Sequence, residues 1–390
     1  MMHQRKIVRA LAIAAAGFGL AGIGHAQTQG VTKNEIVVGS LQDLSGPIAN
    51  FGKNGRNGLQ MRVDEANAAG GIHGRKLRLV VEDHGYDPKK ALLGAQKLVQ
   101  KDKIFAMIST VGTPTNMAAI PVLIENNVPN LFALSAGQQM YEPLHKLKYG
   151  YAPPYIDQVV IGLRYLVKEK GYKRICALYQ DDDFGQDVLK GYEAGLKALN
   201  MQPTEKTSYK RGATDFSSQV AKLRSANCEL VVLGAVVREP VAIMTEAKKI
   251  GWKADFLGTT ATNSAVAHKL GGDAVEGLYA ISQFSLPYAD DPSPAIRDWV
   301  ARYKAKFGDD PDTYSVWGYI GMNLFVQTAE KTGPNLTLDT FLDTLQSMTF
   351  PRDIFGADFK YSKTNHLGVA GMRVQQIKGG RWVNVTDIIK

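Results

Sequence analysis

The stretch from Lys103 to Gly137, KIFAMISTVGTPTNMAAIPVLIENNVPNLFALSAG, decides the fold. Its apolar run Ile104 to Ile108 has the length and residue types of a buried strand. After a turn of small residues, apolar side chains recur close to a 3.6-residue period, which predicts a helix. They are Met117, Ile120, Val122, Leu123 and Ile124. A second predicted strand, Asn130 to Leu134, ends in another small-residue turn, Ser135-Ala136-Gly137.

These two turns have the character of an anion site. Thr113 stands where the N-cap of the predicted helix should lie, and Pro114 occupies the first helical position, where its missing N–H costs nothing. The positive end of the helix and its unpaired N–H groups favour an anion such as a carboxylate. An ordinary capped helix explains the same residues, so this segment alone leaves both interpretations open.

The rest of the chain alternates strands and helices, which predicts βαβ units and parallel sheets with helices on both faces. The first series has strands at 36–41 and 76–82 and helices at 48–69 and from Asp87-Pro88 onward. The segment YGYAPP at 149–154 ends it. A second series follows, with helices at 158–170, 185–199, 216–225 and 240–250 and strands at 174–179, 204–209, 229–234 and 255–258.

The C-terminal part departs from this alternation. Three predicted helices, 294–307, 314–331 and 338–348, precede a predicted β-hairpin at 372–385. We expect the helices to return to the first lobe and the hairpin to cross to the second. The predicted α/β fold therefore has two doubly wound parallel-sheet lobes, 27–152 plus 286–358 and 153–285 plus 359–390. A multi-segment hinge would join them near 153–154, 283–287 and 358–364.

The N-terminus predicts export. Residues 1–26 combine a basic head, the apolar run Ala10 to Ile23 and small residues before a cut ahead of Gln27, as in a secretory signal peptide. The run is too short to span a membrane. We expect a soluble periplasmic protein of 364 residues. Cys176 and Cys228 could form a disulfide in that compartment. Neither residue lies where a disulfide would link two loops, so two buried free thiols are the favoured prediction.

Charge and motifs exclude several classes of function. The formal charge of +9 falls to +6 without the signal peptide, and no Lys/Arg block or aromatic–basic pattern indicates nucleic-acid binding. The phosphate-loop-like segment Gly46 to Lys53 has five residues between its glycines instead of four. The histidines are scattered, so no metal or cofactor is expected, and no catalytic motif is present.

The chain resembles the type I periplasmic solute-binding proteins of ABC importers, specifically the branched-chain amino-acid-binding group. The resemblance covers nearly all of the mature chain. It is carried by VGSLQDLSGPIANFGKNGRNGLQMRVDEANAAGGIHGRKLRLVVEDHGYDP, the STVGTPT turn, ICALYQDDDFGQD and ATDFSSQVAKLRSANCELVVLG. It implies two lobes that close around a small solute, delivery to a membrane permease and no chemistry on the ligand. We also expect a monomer.

The resemblance also implies a set of ligand-binding residues. They are Phe51, Thr113, Ser135, Ala136, Gly137, Asp157, Phe184, Val236 and Thr260. Thr113 and the 135–137 turn would hold a carboxylate through hydroxyl and N–H groups. Phe51 and Phe184 would supply apolar walls, one from each lobe. Asp157 has an alternative role as N-cap of the helix predicted from Gln158.

The expected ligand has a carboxylate but need not have an α-amino group. Amino-acid binders of this family hold the ammonium with an acidic residue where this chain has Thr260, and with aromatic hydroxyls where it has Phe184 and Val236. An aromatic or branched aliphatic acid fits this pattern, and Asp157 leaves amino acids open. The alternatives to transport are a soluble ligand sensor for a chemoreceptor or kinase, and a secreted enzyme of unrecognised class.

Overall fold

The computed structural model describes residues 28–356, 358–369 and 371–389. The predicted signal peptide at 1–26 lies outside the described residues. Helices and strands are numbered in chain order.

The first sheet has five parallel strands in the order β2-β1-β3-β4-β5. Its strands are β1 (Glu35–Gln42), β2 (Lys76–Asp83), β3 (Ala106–Ile108), β4 (Asn130–Leu131) and β5 (Lys148–Tyr149), with α1 (Ala49–Ala68), α2 (Pro88–Gln100) and α3 (Thr113–Glu125) between them. The long β1–β2 pairing runs in register from Glu35 opposite Lys76 to Gln42 opposite Asp83. The predicted βαβ series is confirmed.

The second sheet has seven strands in the order β12-β11-β10-β9-β8-β6-β7. Its strands are β6 (Ile175–Gln180), β7 (Glu205–Tyr209), β8 (Leu230–Gly234), β9 (Asp255–Gly258), β10 (Tyr279–Ser282), β11 (Arg373–Lys378) and β12 (Arg381–Asn384). The helices of this unit are α4 (Tyr155–Lys170), α5 (Asp183–Ala198), α6 (Ser217–Ser225), α7 (Arg238–Lys249) and α8 (Ala265–Gly271). The C-terminal hairpin β11–β12 joins antiparallel to β10, whereas β6 to β10 are parallel.

The three late helices, α9 (Pro294–Phe307), α10 (Thr313–Thr332) and α11 (Leu338–Ser347), pack against the first unit. A Cβ at Gly58 of α1 would lie 2.0 Å from the Ser315 carbonyl oxygen, and one at Gly318 of α10 would lie 2.1 Å from the Gly55 carbonyl oxygen. Only glycine allows this close approach of α1 and α10. We name the five-stranded sheet with α1–α3 and α9–α11 the first lobe, and the seven-stranded sheet with α4–α8 the second lobe. The residue bounds proposed for the lobes remain a prediction.

Two local predictions about helix starts are wrong. The N-cap of α3 is Gly112, at φ +92°, and Thr113 is the first helical residue. Asp157 is not a cap either, because α4 already begins at Tyr155, with Pro154 as its N-cap.

The prediction of two free thiols is also wrong, because Cys176 and Cys228 form a disulfide. Cys176 lies in β6, and Cys228 comes just before β8, the strand that pairs with β6. This pairing brings their Cα atoms to 5.9 Å, within the usual range for a disulfide.

Candidate ligand-binding site

Loops that follow the carboxyl ends of strands in both sheets meet between the lobes. They enclose two small neighbouring cavities of about 10 Å³ each, close to the room that one water molecule needs. Leu134, Tyr155 and Tyr314 line both cavities. Because each cavity is so small, a solute of the size of an organic acid can enter only if the facing residues move apart.

Seven of the nine residues expected in the site line these cavities. Phe51, Thr113, Phe184 and Val236 line one, and Ser135, Ala136 and Thr260 line the other. All seven are at most 5% exposed. Gly137 is buried beside them, and its N–H donates to the Ser135 hydroxyl at 3.1 Å. Asp157 is exposed and lines neither cavity.

Three hydrogen-bonding groups of the first lobe converge at the start of α3. The Thr113 and Ser135 hydroxyl oxygens are 2.8 Å apart, and both side chains are buried. The N–H of Ala136 follows directly in the chain, and Tyr155 from the second lobe lines one cavity with Ser135 and Ala136 and the other with Thr113. Since helix starts attract negative charge, this cluster is suited to an anionic oxygen.

Tyr155 was not predicted as a site residue. Burial raises the pKa of Tyr155 to about 12, although the Ala136 N–H and the Thr113 and Ser135 hydroxyls act in the opposite direction. Its hydroxyl is therefore neutral at pH 7 and can donate to a carboxylate. The available sequence signal was its position directly after Pro153-Pro154, where α4 begins at the cleft.

Aromatic rings form the apolar walls of the cavities. Phe51 stacks on Tyr314 with the ring centroids 3.7 Å apart and the planes at 10°. Phe184 meets the ring of Tyr155 edge to face, with the centroids 4.9 Å apart. Tyr314, from the first turn of α10, was also missed by the sequence prediction.

The polar groups of Thr260 are bonded within the second lobe. Its N–H donates to the Gln158 Oε1 at 2.8 Å, and the Gln158 Nε2 donates to its hydroxyl at 3.2 Å. Gln158 is fully buried and fixes the loop after β9 against α4. Thr260 therefore contributes to the cavity wall, and its N–H and hydroxyl are already hydrogen-bonded to Gln158.

Negative charge is scarce around the cavities. No Asp or Glu among the described residues lines either of them. The buried carboxylate of Asp187 lies close enough to raise the pKa of Tyr155. Its Oδ1 accepts hydrogen bonds from Gln139 at 3.1 Å and from Lys190 at 3.2 Å, whereas its buried Oδ2 has no hydrogen-bond partner among the described residues. Among the lining residues themselves, a cationic group would find no carboxylate.

Two searches of the described residues were negative. No helix there is both long and apolar enough to cross a membrane. No group of three or more His, Cys, Asp or Glu side chains in that part of the chain is placed to hold a metal ion.

Comparisons with known proteins show the family of the chain. The family model for periplasmic binding proteins matches residues 35–381. A Leu/Ile/Val-binding protein homologue from Brucella suis is 25% identical over 365 residues, which cover 90% of this chain and 91% of the relative.

Two solved structures share the fold. The fatty acid ABC transporter substrate-binding protein from Thermomonospora curvata has a TM-score of 0.84 at 24% identity, covering 93% of this chain and 94% of its own. An ABC transporter solute-binding protein from R. palustris, in complex with benzoate, has a TM-score of 0.80 at 19% identity, covering 90% of this chain and 96% of its own.

Proposed function

The chain belongs to the type I periplasmic binding proteins, in the branched-chain amino-acid family, and from this premise we propose that it captures a small carboxylate-bearing solute for an ABC importer. The solute would bind between the two lobes in the periplasm and pass unchanged to a membrane permease. The observation that carries this proposal is the buried cluster of donors formed by Thr113, Ser135 and Ala136 at the start of α3.

The donor cluster would hold the carboxylate. Hydrogen bonds from hydroxyl and N–H groups to a charged acceptor are stronger than those between neutral groups, and burial increases the advantage. The Tyr155 hydroxyl would donate from the second lobe, so one carboxylate would contact both lobes at once. Such a bridging contact favours the closed arrangement of the lobes when ligand is bound.

The cavity lining supports binding rather than catalysis. Among the described residues, neither cavity is lined by His, Cys, Asp, Glu or Lys, the side chains that most often act as bases or nucleophiles. The Thr113–Ser135 hydroxyl pair has no adjacent base in this lining. A bound acid would therefore leave the protein chemically unchanged.

We propose an aromatic or branched aliphatic acid as the ligand class, without a requirement for an α-amino group. Phe51, Phe184 and Val236 offer apolar contact, and no lining carboxylate is present to pair with an ammonium. Burying an unpaired ammonium would be costly. The fatty acid substrate-binding protein from Thermomonospora curvata and the R. palustris protein in complex with benzoate give precedents for acids without an amino group on this fold.

Calorimetric titration tests this proposal directly. Benzoate, phenylacetate and short branched acids should bind at least as tightly as leucine and phenylalanine, and each acid should be recovered unchanged after incubation. Asp157→Asn should leave these affinities unaltered, because that side chain is exposed. An amino acid that binds tightly, and loses its affinity in Asp157→Asn or after removal of its amino group, would refute the ligand class.

A further inference from the structure

We propose that Arg211 is a positioning residue that latches the lobes together by holding Tyr86 over the ligand cavity; this inference rests on the proposed function. Arg211 follows β7 in the second lobe, and Tyr86 follows β2 in the first. The Arg211 Nη1 donates to the Tyr86 carbonyl oxygen at 3.0 Å, and the centre of its guanidinium lies 4.9 Å from the centroid of the Tyr86 ring. The Arg211 side chain thus contacts both the backbone and the ring of Tyr86 across the cleft.

Asp182 holds the guanidinium in place from within the second lobe. Its Oδ2 accepts hydrogen bonds from the Arg211 Nε at 3.2 Å and Nη2 at 2.9 Å. Its Oδ1 caps α5 by accepting from the N–H groups of Phe184 and Gly185. Since Phe184 lines the cavity, Asp182 links the latch directly to one wall of the ligand site.

Tyr86 is fixed equally firmly on its own side. It is 3% exposed and has φ +58°, an uncommon backbone conformation for a large residue. Its N–H donates to the Nδ1 of the buried His84 at 2.9 Å, and its ring packs so close to Gly112 that a Cβ there would lie 2.7 Å from Cε2. From the second lobe, the Gln180 Nε2 donates to the Tyr86 hydroxyl at 3.3 Å.

The pair separates the ligand cavity from solvent. Tyr86 lines the inner cavity together with Gly112 and Thr113. On its other side, Tyr86 and Arg211 line an open surface groove with Pro47, Asp87 and Gly212. A solute leaving the inner cavity toward this groove must displace the Tyr86 ring, and the ring cannot swing away while Arg211 holds it. The latch should therefore lower the rate of ligand release and have little effect on the association rate.

Lysine cannot replace this arginine. The planar guanidinium makes two hydrogen bonds to Asp182 while it faces the Tyr86 ring and carbonyl, whereas an ammonium is a compact point charge that cannot maintain this fork. Lys210 provides a matched control, because it is the neighbouring cation after β7 and pairs with Asp181, the residue before Asp182. No contact of the Lys210 side chain with Tyr86 is present among the described residues.

Spin-label distance measurements test the latch. Labels at Leu93→Cys and Ala198→Cys, both exposed, report the separation of α2 and α5, which belong to different lobes. Without ligand, Lys210→Gln should keep the wild-type distance distribution, whereas Arg211→Gln should shift the distribution toward longer distances. Arg211→Lys should shift the distance distribution in the same direction. If Arg211→Gln fails to fold, Arg211→Lys is compared with Lys210→Gln instead.

Ligand release provides the second readout. Using the acid that binds tightest in calorimetry, stopped-flow measurements should show release about tenfold faster from Arg211→Gln, less than twofold faster from Lys210→Gln, and little change in the association rate. Identical distance distributions in Arg211→Gln and Lys210→Gln would overturn the latch whether or not any carboxylate binds. If the wild type binds none of the acids, the proposed function fails, and the ligand-free distances still decide the latch.

Discussion

Replacing Thr113 by valine removes one hydroxyl from the proposed carboxylate site while keeping the shape of the side chain. The residue is 1% exposed, so solvent cannot replace the lost donor. The helix start is unaffected, since the N-cap of α3 is Gly112 and makes no side-chain capping bond. The substitution therefore separates ligand affinity from helix stability.

The structure sets the expected magnitudes. In the ligand-free protein the variant loses the 2.8 Å hydrogen bond to Ser135, a neutral pair worth about 1 kcal/mol of unfolding free energy. In the complex it loses a hydrogen bond to a charged group, worth about 1.5–3 kcal/mol. Binding affinity changes by the difference between these two losses, about 0.5–2 kcal/mol, so the Kd for the acid should rise about 2- to 30-fold.

Thr115→Val is the matched control. Thr115 is also buried in α3, and its hydroxyl donates to the carbonyl oxygens of Val111 and Gly112, but the Thr115 side chain lines neither cavity. Calorimetry and thermal unfolding should be run on both variants. Thr115→Val should lower stability and keep the wild-type Kd. A wild-type Kd in Thr113→Val, or an equal loss of affinity in both variants, would refute the assignment of Thr113 to the carboxylate site.

Three further predictions concern closure, pH and the disulfide. Small-angle scattering should show a smaller radius of gyration with saturating acid, and an unchanged radius would contradict hinge closure. Burial raises the pKa of Glu239 from 4.5 to about 7, so between these pH values the folded protein retains a proton that the unfolded chain has lost. As pH rises from 4.5 to 7, the wild type should therefore lose about 3 kcal/mol of unfolding free energy relative to Glu239→Gln. If denaturant titrations show that the unfolding free energies of the two proteins change equally with pH, this prediction is refuted. The Cys176–Cys228 disulfide spans a sequence separation of 52 residues, so its reduction should lower the free energy of unfolding by up to about 4 kcal/mol. Alkylation of either cysteine in the unreduced protein would contradict the disulfide.

The alternation of strands and helices could be predicted because it depends on local periodicity and turn residues. The short elements were harder: β10 has four residues and α8 seven, too few for a clear period. β4 ends at Leu131, three residues before the predicted end, because Phe132 adopts a left-handed φ of +55° that interrupts the strand. Nothing in the residue types at this position signals that conformation.

The disulfide shows where sequence reasoning fails on nonlocal structure. Whether Cys176 and Cys228 can bond depends on which strands are neighbours in the sheet, and β6 pairs with both β7 and β8. The periodicity of each strand is compatible with several strand orders. The burial of the two cysteines was therefore predictable, but their proximity to each other was not.

The site was predictable where it follows the ends of parallel strands. Thr113, Ser135, Val236 and Thr260 all lie in or beside such loops, and parallel topology brings those loops to one edge of each sheet. Tyr314 reaches the cavities only because α10 returns to the first lobe, a tertiary packing event that its own neighbourhood in the sequence does not encode.

Asp157 illustrates how a small boundary error changes the interpretation of a side chain. The sequence placed the helix start at Gln158, which made Asp157 a cap or a ligand. In the structure α4 begins at Tyr155, so Asp157 lies within the first helical turn and its side chain is exposed. Tyr155 instead lines both cavities beside the donor cluster.

A crystal structure of the complex with the tightest-binding acid would test the central claim most directly. We predict one acid between the lobes, with a carboxylate oxygen within about 3 Å of the Thr113 and Ser135 hydroxyls and the Ala136 N–H. Its apolar part should contact Phe51, Phe184 or Val236. An acid bound outside the two lobes, or bound between them with its carboxylate directed away from the start of α3, would contradict the account.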